Sequence, residues 1–204
     1  HDQTNEVQEI RQELLDLGFP EVVLDDLTSE EIMVCEGATH IMVLQRDYDV
    51  DQNRGIGTKE EIAGGKIALT TIDHATPQLR ITHVGVKFGD DREQWQIIHH
   101  FEWLDDRKFC GTEAVQLWPY SQEGWNVSSD FTGRVLYELD GETLTSDYHS
   151  IGKVTYESSG MAAQMFGQYQ STDVFATFSL PNTGERRRGY VMYEISEMID
   201  GYIV

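Results

Sequence analysis

The residues best spaced for chemistry lie in one acidic stretch, Asp49-Val50-Asp51-Gln52-Asn53-Arg54-Gly55-Ile56-Gly57-Thr58-Lys59-Glu60. With Asp49 at position 1, Asp51 falls at 3, Asn53 at 5, Ile56 at 8 and Glu60 at 12. Alternate oxygens at this spacing turn inward when a loop winds around calcium, which takes six to eight oxygen ligands. Asp49, Asp51, Asn53 and Glu60 are therefore candidate metal ligands, and calcium is the candidate cofactor. The pattern departs at position 6, where Arg54 replaces the usual Gly, and at position 9, where Gly57 has no side-chain oxygen. In a chain with 36 acidic residues, a solvated acidic connection between strands explains the same letters.

A second candidate is the aromatic stretch from Leu117 to Asn126, with Trp118, Tyr120 and Trp125. Exposed rings can stack on the C–H face of a sugar while acidic neighbours accept its hydroxyls. These three are the candidate ligand-binding residues, and carbohydrate is the candidate ligand. Rings that close the end of a β-fold are the other reading. Histidines supply a third candidate. If the apolar faces of residues 80–88 and 94–104 match, Phe88 stands opposite Trp95, Val86 opposite Ile97 and Val84 opposite His99. That register puts His83 opposite His100 on the reverse face, with Glu102 opposite Ile81. Such a trio could hold zinc or work as acid and base, but no further ligand spacing accompanies it. Partly exposed sheet histidines, with His99 in the core, are the expected reading.

Catalytic motifs are scarce. There is no G-x-S-x-G elbow and no P-loop, since Gly64-Gly65-Lys66 lacks the required preceding Gly. Glycoside hydrolysis needs two carboxylates at a set separation, which the sequence alone cannot pair. Cys35 and Cys110 lie far from any CxxC spacing, and two buried thiols are expected rather than a disulfide framework. Arg186-Arg187-Arg188 is the one basic cluster, and neutralising local carboxylates is its expected role. Asn126-Val127-Ser128 is formally a glycosylation sequon.

The elements that must position these residues fall in two blocks. Residues 5 to 36 read as three short helices. Val7, Ile10, Leu14, Leu15 and Leu17 recur at helical spacing. Gly18 and Gly37 supply stops, Pro20 suits a helix start, and Thr28 with Glu31 forms a capping box. From about residue 38 the period becomes two. Residues 67–72, 79–88, 94–104, 130–139, 143–156, 172–180 and 188–195 read as strands, with Asp140-Gly141 as a type I′ hairpin turn and another turn at Asn182–Gly184. Helices do not alternate with strands, so a parallel fold is not expected. The expectation is a mainly β fold, an antiparallel β-sandwich or flattened barrel preceded by a short helical segment. Residues 1–37 form a helical cap and 38–204 the β domain, packed as one unit.

The 204 residues carry 36 Asp plus Glu against 15 Lys plus Arg, a net charge of −21. That sign repels phosphate, so nucleic acid and anionic membrane are not expected partners. A hydrophobic fraction of 39% supports a packed core rather than disorder. No apolar run is long enough for a membrane span.

Gln94–Asp106, Thr112–Tyr120, Gly133–Ser150 and the opening Glu13-Leu14-Leu15-Asp16-Leu17-Gly18-Phe19-Pro20, followed by Leu27-Thr28, resemble extracytoplasmic regions of membrane-anchored proteins of Gram-positive bacteria that have no assigned activity. The resemblance implies a surface location and, with His1 in place of Met, a removed signal or anchor. It implies no functional residues. The combined expectation is a non-catalytic extracytoplasmic binding or sensing module that contacts carbohydrate or an envelope protein. A hydrolase of envelope polysaccharide and a protein-assembly scaffold are the alternatives.

Overall fold

The computed structural model describes residues 3–49, 54–62, 70–71, 78–89, 94–107, 112–117, 125–157, 161, 164–165 and 170–197. Three helices come first: α1 (Gln3–Asp16), α2 (Glu21–Leu24) and α3 (Ser29–Val34). Eleven described strands follow: β1 (Ala38–Asp49), β2 (Arg54–Ile62), β3 (Thr70–Thr71), β4 (Leu79–Phe88), β5 (Gln94–Trp103), β6 (Glu113–Leu117), β7 (Trp125–Leu139), β8 (Glu142–Ser146), β9 (Ser150–Glu157), β10 (Gln170–Phe178) and β11 (Glu185–Glu197). All described pairings are antiparallel. They form an eight-stranded sheet, β3-β2-β1-β4-β5-β11-β7-β8, and a three-stranded sheet, β6-β10-β9. The large sheet ends on β3 and β8 and stays open, so the sandwich-like expectation holds and the flattened barrel does not.

The helical block follows its sequence signals. The Gly18 amide donates to Leu15 O at 3.0 Å and the Phe19 amide to Leu14 O at 2.9 Å, with Gly18 at φ 97°. The left-handed turn satisfies carbonyls at the end of α1 and sends the chain on to Pro20. In the capping box, Glu31 N donates to Thr28 Oγ1 at 3.2 Å and Thr28 N to Glu31 Oε1 at 2.9 Å. Each bond satisfies an amide that the first turn of α3 would otherwise leave unpaired. Asp140 and Gly141 both adopt positive φ, 53° and 81°, as the type I′ turn between β7 and β8 requires.

The middle of the large sheet is covered on both faces. Val7, Ile10 and Leu14 of α1, with Phe19, Val23, Leu24, Leu27 and Ile32, pack on Ile41, Val43, Val84, Val86, Phe88, Ile98, Leu136, Tyr190 and Met192. On the reverse face, Phe101, Val135, Val191 and Tyr193 pack with Val174, Ala176 and Phe178 of the small sheet. The result is three layers: helices, large sheet, small sheet.

This double burial corrects the expected hairpin register. β4 and β5 pair with Lys87 opposite Trp95, Val86 opposite Gln96, Val84 opposite Ile98 and His83 opposite His99. The shift is one residue from the expected pairing. Because side chains alternate, it moves every β5 side chain to the other face relative to β4. Matching apolar faces failed because β5 has two, Ile98 toward the helices and Ile97 with Phe101 toward the small sheet.

The expected strand 143–156 is two strands, with a corner at Asp147–His149 that carries the chain from one sheet to the other. There Tyr148 Oη donates to Tyr190 O at 2.7 Å, and His149 N to Thr177 O at 2.8 Å. Strands β1, β2 and β6 were not expected, and of 67–72 only Thr70–Thr71 is a described strand. Among the described residues no helix is long and apolar enough to cross a membrane.

Candidate functional site

Of the predicted site residues, Asp49, Glu60 and Trp125 are among the described ones. Asp49 closes β1 opposite Arg54 at the start of β2, and Glu60 stands farther along β2 opposite Leu44. Arg54 and Glu60 are six steps apart along β2, about 20 Å at strand rise. A calcium loop needs its first and twelfth positions on one ion, and the hairpin draws those two backbone positions apart. Asp51 and Asn53 lie outside the described residues, as do Trp118 and Tyr120. Trp125 opens β7 opposite Glu197 of β11. Cys110 also lies outside them. Cys35 is free and buried, its thiol pushed up to about 12 by burial and then by Glu31. His83 and His100 belong to neighbouring strands but not to one face. His100 packs toward the helices and His83 toward the small sheet, so the proposed pairing with Glu102 does not form.

Instead, His100 belongs to a buried polar seam between cap and sheet. Its Nε2 lies 2.7 Å from Asp26 Oδ2. Arg188 Nε donates to both oxygens of the same carboxylate, at 3.0 and 2.9 Å, and Arg134 Nη2 donates to Asp26 O at 2.7 Å. Burial alone would raise the Asp26 carboxyl, but the hydrogen bonds to His100 and Arg188 outweigh it and hold Asp26 below the ordinary range. Beside it, Thr132 Oγ1 donates to Glu31 Oε2 at 2.6 Å, and the Tyr190 hydroxyl donates to Glu31 Oε1. Glu31 thus serves the capping box and the sheet together. Every described group of this seam has its partner inside the fold, which suits anchoring rather than turnover.

The basic run 186–188 is consumed in the same way. Arg188 joins Asp26. Arg187 is buried and donates to the carbonyls of Asp105 and Arg107. Arg186 bridges outward to Glu138 at 2.7 Å and lies 3.9 Å from Glu102. The pairing of β11 with β7 shifts between Glu185 and Arg188, and Arg186 sits at φ 42°. This bulge turns one of three consecutive arginines outward while the next two point into the fold.

Above the bulge lies a cleft of about 440 Å³, lined by Glu102, Trp103, Leu104, Asp105, Asp106, Glu185 and Arg186. It is built where β5 ends and β11 begins. Its lining brings together four acidic residues, Arg186, Trp103 and the exposed Leu104. Trp103 is half-buried and rests edge-on against Phe101 and Phe178, at 5.4 and 5.9 Å between centroids. Arg107 Nε and Nη2 donate to the Asp105 carboxylate at 3.0 Å each. These bonds are the first cause holding Asp105 below the ordinary carboxylate range, against its partial burial. The cleft can accept hydrogen bonds from hydroxyl or ammonium groups, and its indole can cover an apolar edge. Sequence reasoning missed it, although two local signals existed: the run Glu102-Trp103-Leu104-Asp105-Asp106-Arg107 after an alternating strand, and the triple arginine. Their juxtaposition depends on β5 pairing with β11 across nearly ninety residues of sequence.

Among the described residues, no three His, Cys, Asp or Glu side chains gather as a metal site. No protein-family model matches the chain, and no curated protein matches it.

Proposed function

We propose that the chain is a non-catalytic binding module of an extracytoplasmic bacterial surface protein, and that it takes a glycan of the envelope at the Glu102–Asp106 cleft. The observation that carries this reading is the division of charge. The buried ionisable groups of the cap seam are occupied by one another, whereas the cleft gathers Glu102, Asp105, Asp106 and Glu185 beside Trp103. Carboxylates accept hydroxyl and ammonium hydrogen bonds, and an indole covers a sugar's C–H face. With Asp105 paired to Arg107, the carboxylates of Glu102, Asp106 and Glu185 against Arg186 still favour neutral or amino-bearing sugars over phosphorylated or uronic ones.

A hydrolase is the second reading, because one cleft holds several carboxylates. It requires a carboxyl whose pKa is raised to serve as proton donor. Asp105 moves the other way, which suits a standing anion.

The test is calorimetric titration of the domain with solubilised envelope polysaccharide, repeated with Glu102→Gln and Asp106→Asn. Saturable binding that each change weakens about ten- to a hundredfold supports the reading, since a hydrogen bond to a charged group contributes about 1.5–3 kcal/mol. Binding untouched by both changes moves the site elsewhere, with Trp118, Tyr120 and Trp125 next to test. Shortening of the polysaccharide during the titration would favour the hydrolase.

A further inference from the structure

His83 and His99 stand directly opposite each other on β4 and β5. Their Nδ1 atoms are 2.7 Å apart. The rings lie nearly perpendicular, with centroids at 4.9 Å. At that separation one nitrogen must carry the proton and the other must accept it. The Nε2 of His99 continues the chain to Tyr193 Oη at 2.8 Å. Tyr193 is buried in the cluster that joins the two sheets, with Val174 and Ala176 of β10 and Val191 of β11, and packs on Phe131 at 5.5 Å.

We propose that His83, His99 and Tyr193 form an acid-sensitive latch across β4, β5 and β11, on the face of the large sheet that the small sheet covers, closed while one proton lies between the two Nδ1 atoms and opened when acid charges both imidazoles. Two charged imidazoles cannot both point an N–H along the same 2.7 Å line, because the hydrogen bond becomes a like-charge clash. The surroundings offer a cation no relief. Leu44 of β1 stands opposite His83. Arg46 of β1 adds positive charge near His83. Tyr193 of β11 is held neutral by burial. Among the described residues, Arg46 and Tyr193 are the titratable or charged groups of neighbouring strands that face the pair, and the small sheet contributes the apolar Val174 and Ala176 to this interface. Consistent with this, burial and then Arg46 push His83 down to about 4, and burial and then His83 hold His99 well below the ordinary histidine value.

The sign follows from linkage. An unfolded histidine takes up its proton near pH 6.5, whereas the folded pair resists. The unfolded state therefore binds more protons, and stability falls as pH drops from about 6.5 toward 4. The test is urea unfolding of the 204-residue chain from pH 7 to 4.5, native against the double variant His83→Gln/His99→Gln, with His149→Gln as control. Between pH 6 and 5 the unfolding constant of the native chain should rise by up to about a hundredfold more per pH unit than that of the double variant, for two protons. The control should run with the native chain. Parallel curves for native and double variant would overturn the proposal. Should the double variant not fold, nitrogen-15 NMR of the native imidazoles decides. Two rings that stay neutral to pH 5 with one shared Nδ1 proton support the latch, and either ring protonating near pH 6.5 overturns it.

Discussion

The two faces of the large sheet are both covered at its middle but tolerate charge differently. Toward the helices, the sheet buries Arg188 and His100 against Asp26 and Tyr190 against Glu31, to which the exposed Thr132 also donates. Toward the small sheet, it carries the His83–His99–Tyr193 chain, with the apolar Val174 and Ala176 packed on Tyr193. The first face keeps ions because each ion has an opposite partner and additional hydrogen bonds. The second keeps imidazoles neutral because burial comes without an opposite charge: desolvation acts first, then Arg46 on His83 and His83 on His99. Burial by itself does not decide protonation; the partners that come with it do.

The largest expected effect breaks the first face. Arg188→Met leaves the Asp26 carboxylate buried without its bidentate partner and should cost about 3–5 kcal/mol in urea unfolding. The pair Asp26→Leu with Arg188→Met should cost less than Arg188→Met alone, because no buried charge is stranded. The same carboxylate separates the two faces by pH. Asp26 titrates lower in the folded chain than its unfolded value near 3.9. Its contribution is complete above that value and is lost as pH falls through the lower folded one. Acid should therefore weaken the inter-sheet face first and the cap seam afterwards, which Asp26→Asn would reveal as a flattened lowest-pH limb in unfolding curves.

A smaller effect probes packing on the second face. A Cβ at Gly189 would lie 2.6 Å from Phe101 Cζ and 2.9 Å from Val135 Cγ1, so Gly189→Ala should cost about 1–3 kcal/mol through overpacking, read from the urea midpoint. The smallest concerns the cap alone. Thr28→Ala removes one half of the capping box and should cost about 1 kcal/mol, with the thermal midpoint lowered by a few degrees.

What was legible in the sequence follows the reach of each interaction. The helices, the Thr28–Glu31 box and the Asp140-Gly141 turn are set by neighbours within four residues, and they stand where their residues predict. β4 was legible to its boundaries because its alternation is clean. β2 was not, since two glycines and four charged residues among nine give it little strand preference; its pairing with β1 makes it a strand. The β4–β5 register was misread because one-sided burial was assumed where both faces are covered. The cleft was invisible for a related reason. Glu102 and Glu185 meet only after β5 and β11 align, a contact that no local pattern encodes.

The central claim is that Glu102, Asp106 and Glu185 of the cleft are turned toward a ligand, with Asp105 held by Arg107, while the carboxylates of the cap seam are held by the fold. The most direct measurement is chemical-shift mapping of the nitrogen-15-labelled domain against soluble fragments of envelope glycan. The account predicts saturable shifts clustered at 102–106 and 185–186, absent in Glu102→Gln/Asp106→Asn. Saturable shifts that leave these residues unmoved would contradict it.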